Sequence, residues 1–464
     1  MRGITGWGTY LPHRRLDRGE IVKFVGQGGG KGTRTVAGCD EDSTTMAVEA
    51  GRRVAGMMSA DLLLFATSFP AYADKTNATV AHAALRLAGN TPALDLGQST
   101  RSATGGILLG ARSVGTVLVV AADVRTGLPG SAEEAAGGDA AAALLLGDDT
   151  PAQPVLAEVL GTASATEEFV DRWRGPGEAR TKVWDERFAE ITYGRLGQQA
   201  WSAALTAAGL APHQVTAVAV AAPTARIASS MAGRLGVARV VDDLTSTVGS
   251  CGAAQPALLL AALLEQAAPG QVLALVSLAD GADVMLLRTT DAIAGHSARP
   301  TIEEQIAGGA PVAYGKFLAW RGNLSVEPPR RPEPARVSAT AAARSQDWKF
   351  GFVASRDRET GQVYMPPQRV SADGLRTDAM DASPMADVAG TVATFTVDRV
   401  AYSPSPPIVF AVVDFDGGGR LPIELCDCDA GEVSIGMRVE LTFRRLSVQD
   451  GLPNYFWKAR PIRG

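Results

Sequence analysis

The chain has 464 residues, 46% of them hydrophobic and 20% charged, with a formal net charge of -5. That length exceeds what one core supports, so at least two domains are expected, and the mild acidity excludes a general electrostatic pull toward nucleic acid. The start "MRGITGWGTYLPHRR" has no apolar run after its basic residue, and the most apolar helix, "AAQPALLLAALLEQAAPG", is interrupted by Gln255, Pro256 and Glu265. Neither a signal peptide nor a membrane span is expected.

Near the N-terminus, "GQGGGKGT" (26–33) lacks the spacing of a phosphate loop and reads as a mobile Gly-rich loop. "DEDSTTMAVEA" follows, in which Asp42 or Ser43 caps the next helix rather than building a carboxylate site. "DLLLFATS" from Asp61 is a strand, and "LDLGQSTRSATGG" (94–106) is a short strand, a polar turn and a Gly-rich helix start.

A repeat then appears. "GTVLVVAAD" from Gly115 and "GQVLALVSLAD" from Gly270 are Gly-led apolar strands ending in Ala-Asp, each followed by a second strand, "AAAALLLGDD" and "GADVMLLRTT". "VTAVAVAAP" from Val215 matches "DLLLFATS" upstream. Apolar strands alternating with helices predict an α/β architecture of two similar halves, 1–165 and 166–291.

Pro, Arg and Ala enrichment, strongest in "EPPRRPEPARVSATAAARS", predicts an extended linker over 292–347. From 348 to 464, "GTVATFTVDRV", "IVFAVVDFD", "RLPIEL" and "MRVELTFRRL" predict a small all-β barrel of the OB type, though an SH3-like barrel would read much the same.

Three separated motifs, "GCDEDSTTMAVEAG", "FVDRWRGPGEARTKVWDERF" and "AYGKFLAWR", resemble the hydroxymethylglutaryl-CoA synthase branch of the thiolase superfamily, with ketoacyl synthase III a more distant relative. The resemblance covers about 320 residues and implies duplicated αβαβα layers. It also places Trp173, Trp184 and Trp320 in core positions. The C-terminal part resembles an acyl-CoA-associated family that joins a zinc ribbon to an OB-fold. Gly361, Pro366 and Pro367 are kept, but the ligand positions read Asp357, Thr360, Ser371 and Gly374. Zinc in a structural site needs four soft or imidazole ligands, so no zinc and no resident cofactor are expected.

In the resembled synthases a cysteine is acylated by the CoA thioester, a glutamate deprotonates the second substrate, and a histidine and an asparagine stabilise the thioester oxygen. Here Thr100 matches the cysteine, with Arg101 or Ser102 one or two residues away. Ala221 stands for the histidine, Ser250 for the asparagine and Ser68 for the glutamate. A serine or threonine hydroxyl needs a neighbouring base, and His13, His82, His213 and His296 fall in segments read as surface or linker. Cys251, at the start of the second half's buried helix, is a candidate thiolate or a small buried thiol. Cys39, beside acidic residues, should have a raised pKa, and Cys426 and Cys428 read as incidental thiols suited to a reducing cytoplasm.

Two functions follow. One is an acyl-CoA enzyme making or breaking a carbon-carbon bond next to a thioester, by acyl transfer or by retro-aldol cleavage, for which Tyr72, Asp95 and Arg101 are candidate groups. The other is a silent partner that binds acyl-CoA or scaffolds an active thiolase. A homodimer, or a hetero-oligomer with another thiolase-type subunit, is expected by resemblance.

Overall fold

The computed structural model describes every residue except 55, 98, 179 and 464. Contacts divide the chain into two compact units: Met1–Gly38, Asp42–Thr79 and Leu87–Asn323 form the first, and Cys39–Glu41, Val80–Arg86 and Leu324–Gly464 the second.

The first unit is built on β1 (Arg2–Tyr10), β2 (Leu62–Thr67), β3 (Ala93–Gly97), β4 (Val117–Asp123), β5 (Ala140–Asp148), β6 (Ala157–Ala165), β7 (Ala217–Ala221), β8 (Val272–Leu278) and β9 (Ala282–Thr289). They form one sheet in the order β7-β8-β9-β6-β1-β5-β4-β2-β3. The order is nearly a palindrome about the β1–β6 junction, where Gly3 and Ile4 pair with Glu158 and Ala157. In each half a parallel pair, β2 with β4 and β7 with β8, is followed by an antiparallel strand, β5 or β9. A lone parallel bridge between Val218 and Val240 stands where the first half has β3. The duplication is therefore real, and the halves join edge to edge in one sheet rather than as separate sheets.

The central strands carry almost only Ala, Val and Leu, so both faces can be covered by helices. Helices α1 (Ser43–Arg52), α2 (Ser102–Arg112), α3 (Glu186–Ala208) and α4 (Gln255–Glu265) do this. From Gln255 to Leu264 every residue of α4 is buried, in a core shared with α2 and both halves of the sheet. On the opposite face of the second half, α3 packs Tyr193, Leu196, Trp201 and Leu205 against Val218, Val220 and Leu286. Asp42 caps α1 as expected: its side chain accepts from Thr45 N at 2.9 Å, and Thr45 Oγ1 accepts from Asp42 N at 2.9 Å. The Gly-rich loop is tied down rather than loose. Gly32 has φ +85°, a Cβ there would lie 2.1 Å from Ser246 O, and Thr33 N donates to that same oxygen.

The linker expected over 292–347 is shorter than its composition suggested. Helices Ile302–Ala307 and Tyr314–Trp320 belong to the first unit because Ile302, Tyr314, Phe317 and Leu318 are buried in it. Extended, exposed chain is confined to the Pro-rich stretch after Asn323. Glu265, at the end of α4, accepts from Ile302 N at 3.1 Å, and its burial pushes its pKa up to about 7. Its folded pKa lies above its unfolded one, so its contribution to stability is complete below about pH 4.5 and is lost as the pH rises through 7. Glu265→Gln is expected to remove that dependence and to raise the urea midpoint at pH 8 by the equivalent of roughly 1–2 kcal/mol, allowing for solvent screening. Urea titrations of both proteins from pH 4 to 8 check it.

The second unit contains a closed five-stranded barrel: β10 (Gly390–Asp398), β11 (Ile408–Phe415), β12 (Arg420–Leu425), β13 (Arg438–Gln449) and β14 (Leu452–Pro461), in the order β10-β11-β12-β14-β13. Val409, Ala411, Val413, Ile423, Leu441, Phe443 and Trp457 alternate inward as the strand period requires. Phe352, fully buried, lies 5.9 Å from Trp457 and 6.1 Å from Phe415, ring centre to ring centre.

Before the barrel, strands Val353–Asp357, Val363–Tyr364 and Met380–Pro384 form a small sheet bearing the four ribbon positions. There Arg376 reaches Asp357 at 3.2 Å, Glu359 at 3.2 Å and Asp373 at 3.0 Å, so a guanidinium links the two turns. The N–H of Thr360, with that of Glu359 and the Arg376 guanidinium, holds the Asp357 carboxyl below the usual range. Arg376→Ala is expected to lower the melting temperature of the full chain's second unit by roughly 2–5 °C, whereas EDTA leaves the wild type unchanged. Differential scanning calorimetry with and without chelator measures both. Among the described residues no helix is long and apolar enough to cross a membrane.

Candidate functional site

Parallel strands β2 and β4 end side by side, and the turn leading into α4 meets them there. The meeting point is Asp123, the last residue of β4 and fully buried. One carboxylate oxygen accepts from Thr67 Oγ1 at 3.0 Å and Ser68 N at 2.7 Å; the other accepts from Ser68 Oγ at 2.6 Å and Ala253 N at 2.7 Å. Four donors on one buried carboxylate is the satisfaction such a charge requires. Gly252 at φ +54° makes the approach possible, since a Cβ there would come within 2.2 Å of Asp123 Oδ2.

Arg125 adds a cation. Its Nη1 lies 3.8 Å from Asp123 and donates to Ser68 Oγ at 3.3 Å, while Nη2 bonds Glu133 at 2.6 Å. A second hub adjoins the first. Asp139, also fully buried, accepts from Arg125 N at 2.7 Å and Ala37 N at 2.7 Å, and pairs with Arg34 at 3.3 Å and with Arg321.

Cys251 is fully buried, its thiol donating to Gly249 O at 3.3 Å and its N–H to Gln255 Oε1 at 2.8 Å. Burial, and then the carboxylates of Asp139 and Asp123, push its pKa well above that of an ordinary thiol. The α4 start therefore does not present a thiolate. Ser250 is half-buried and bridges Gly137 through its backbone, with Ser250 N on Ala136 O at 2.8 Å and Gly138 N on Ser250 O at 3.0 Å.

Of the candidates read from the sequence, the fold gathers Ser68, Ser250 and Cys251 around these two hubs. Thr100, Arg101 and Ser102 sit in the turn after the edge strand β3. Arg101 binds Asp283 through two contacts, at 2.8 and 3.1 Å, and Asp280 O at 2.7 Å, tying the two halves together. Ser102 Oγ donates to Gly97 O at 3.1 Å, and no side chain caps α2. Thr100 is half-buried beside them. Asp95 caps a local helix, accepting from Asn77 N and Ala78 N at 2.7 Å each, and Tyr72 N donates to Asn77 Oδ1. Ala221 closes β7 and brings no polar group.

The histidines divide differently from the sequence reading. His213 is exposed, but His296 stacks on Trp7 with ring centres 4.3 Å apart and is half-buried, which lowers its pKa. His13 and His82 are also half-buried. Trp173 and Trp184, read as core, are 40% and 72% exposed. Cys39 behaves as expected: burial first and Asp40 second push its thiol up to about 12.

Sequence reasoning missed Asp123, Arg125, Asp139, Arg34 and Arg174. For Asp123 a signal existed: it is the Asp of the repeated Ala-Asp strand ending, with Asp280 as its counterpart. The others become visible only when distant segments meet.

With this geometry in place, the comparisons extend over both units. Residues 383–444 match the family described as the C-terminal OB-fold domain of ChsH2. Over 347 residues the chain is 28% identical to a hydroxymethylglutaryl-CoA synthase of Archaeoglobus fulgidus, covering 70% of this chain and 99% of that protein. Over 119 residues it is 29% identical to a DUF35 domain-containing scaffold protein of Methanocaldococcus jannaschii, covering 25% and 84%. Among solved structures it superposes on an HMG-CoA synthase complexed with CoA, with a TM-score of 0.60 and 16% identity, covering 68% of this chain and 89% of that one. The first unit thus has the thiolase-like fold and the second an OB-fold, as the resemblance implied.

Proposed function

We propose, for a chain whose thiolase-like unit is similar to hydroxymethylglutaryl-CoA synthases and whose barrel is of the OB type, that it binds an acyl-CoA thioester and makes or breaks the carbon-carbon bond next to it. The observation that carries the reading is the Ser68–Asp123 pair at 2.6 Å, set where the strands of the first half end. Asp123 can accept a proton through the Ser68 hydroxyl, while Arg125 at 3.3 Å favours the alkoxide character that results. This chemistry needs a base and a stabilised enolate, and no acyl-enzyme. It suits a site whose cysteine is buried and protonated.

A second reading, a silent acyl-CoA-binding or scaffolding subunit, is favoured by a different observation: both Asp123 oxygens are already occupied by protein donors. The likeness of the second unit to a protein described as a scaffold supports it as well. Either way a further thiolase-type chain is the natural partner. Edge strand β3 is open, with Leu94 51% exposed, and pairing along it would place a second subunit beside the Thr100 turn. A reducing cytoplasm and a place in lipid or acyl-CoA metabolism fit the four free cysteines and the proposed ligand.

The test is to incubate the full chain with short, branched and steroid-sized acyl-CoAs, following the thioesters chromatographically and the protein by intact and peptide mass spectrometry. The expected result is thioester conversion without a protein adduct. An adduct on Thr100, Ser102 or Cys251 overturns the non-covalent chemistry, and unchanged thioesters across the panel leave the scaffolding reading in its place.

A further inference from the structure

We propose that Arg174 is a specificity-determining residue that recognises a free carboxylate on the acyl part of the thioester; the inference rests on the acyl-CoA reading above. Arg174 follows the first strand of a short hairpin in which Arg172 and Trp173 pair with Val183 and Lys182. The guanidinium carbon lies 3.6 Å from the Phe69 ring centre, and Nη2 donates to Ser68 O at 2.7 Å. The hairpin is thereby fastened beside the Ser68–Asp123 pair.

The remaining terminal nitrogen, Nη1, is buried and has no hydrogen-bond partner in the structure. A buried donor without an acceptor is costly, more so on a charged group, and in a native protein it calls for an explanation. The surrounding acceptors are engaged. Asp123 takes four donors, Glu133 takes Arg125 Nη2, and Ser68 Oγ is shared between Asp123 and Arg125. Arg125 itself lies 5.5 Å over the opposite part of the Phe69 neighbourhood, so two cations share one aromatic ring. Burial and the neighbouring Arg125 both lower the Arg174 pKa, the signature of a cation short of counter-charge.

An acceptor from outside the protein completes this arrangement. Because Ser68 is 6% exposed and Asp123 is not exposed at all, the place is poor for a phosphate dianion and suited to a singly charged, planar carboxylate that a guanidinium edge can meet. Phe69 holds the guanidinium plane fixed, so the donor is aimed before the ligand arrives. A thioester whose acyl chain ends in a carboxylate would place its reacting carbon and its distal charge within one site.

Isothermal titration of the full chain with CoA, butyryl-CoA, succinyl-CoA and glutaryl-CoA tests this. The carboxylated thioesters should bind roughly ten- to a hundredfold more tightly than butyryl-CoA. Arg174→Gln should abolish that ratio while leaving butyryl-CoA affinity and the melting temperature unchanged, and Arg174→Lys should keep part of it. Ser68→Glu, which offers Nη1 an internal carboxylate, should also erase it. Equal affinity of the wild type for succinyl- and butyryl-CoA overturns the proposal, and so does an Arg174→Gln loss shared equally by CoA alone, which would mark phosphate recognition. Failure of every CoA compound to bind overturns instead the acyl-CoA reading beneath it.

Discussion

Replacing Asp139 by alanine is expected to destabilise the first unit by roughly 3–5 kcal/mol, a large part of what holds an ordinary domain folded. The reason lies in what would be left behind. Arg34 has no exposed surface, and its side chain is held by Asp139 at 3.3 Å, by Arg125 O at 3.0 Å and by Glu134 O. Burial already drags the Arg34 pKa down to about 10, and the nearest carboxylate opposing that pull is Asp139. Arg321 leans on the same carboxylate, and the N–H groups of Arg125 and Ala37 would lose their acceptor too. Asp139→Asn should cost less, because an amide oxygen still receives some of these donors. The double variant Arg34→Met with Asp139→Leu should recover much of the loss, since replacing both members of a buried pair by apolar groups removes the uncompensated charge. Urea denaturation of the four proteins provides the cycle. If Asp139→Ala alone shifts the midpoint by less than the equivalent of about 1 kcal/mol, the hub is not the electrostatic keystone argued here.

That hub also marks the boundary between what the chain discloses in one dimension and what it does not. Strands such as "VLVVAAD" and "AAAALLLGD" announce themselves, because a run of small and branched apolar residues led by Gly has few alternatives to a buried strand. Their repetition disclosed the two halves, and the Pro and Gly turns around short Val and Phe runs disclosed the barrel. The linker was overdrawn because Pro and Arg content outweighed two short amphipathic helices whose Ile302, Phe317 and Leu318 find a core only in three dimensions. Trp173 and Trp184 were misplaced for the opposite reason: bulk suggested burial, whereas the hairpin that carries them leaves them largely in solvent. Within the site, Ser68 was found through resemblance. Asp123 was written into the repeat but not weighed, and Arg174 could not be found at all, because its meaning depends on a nitrogen left without a partner some hundred positions from the serine it touches.

Cys251 in the native chain should resist alkylation by iodoacetamide at pH 8, reacting more slowly than in the urea-unfolded chain by more than about a thousandfold. The thiolate is the reactive species, and here everything opposes it. Burial removes the solvation a thiolate needs, and Asp139 and Asp123 repel its charge more than Arg34 and Arg125 offset. The hydrogen bond from the thiol to Gly249 O further favours the protonated form. A graded order follows across the four free cysteines. Cys428, half-buried and pushed up to about 11, should react first; Cys39, pushed up to about 12 by burial and Asp40, should follow; Cys426 and Cys251 should be slowest. Peptide mass spectrometry over a time course reads all four rates in one experiment. Cys251 alkylated first would mean that the helix start does generate a thiolate, and the non-covalent chemistry assigned to this site would give way to an acyl-enzyme on that sulfur. The expected order instead leaves the Ser68–Asp123 pair, with Arg125 beside it, as the group through which a proton can move at the ends of the strands.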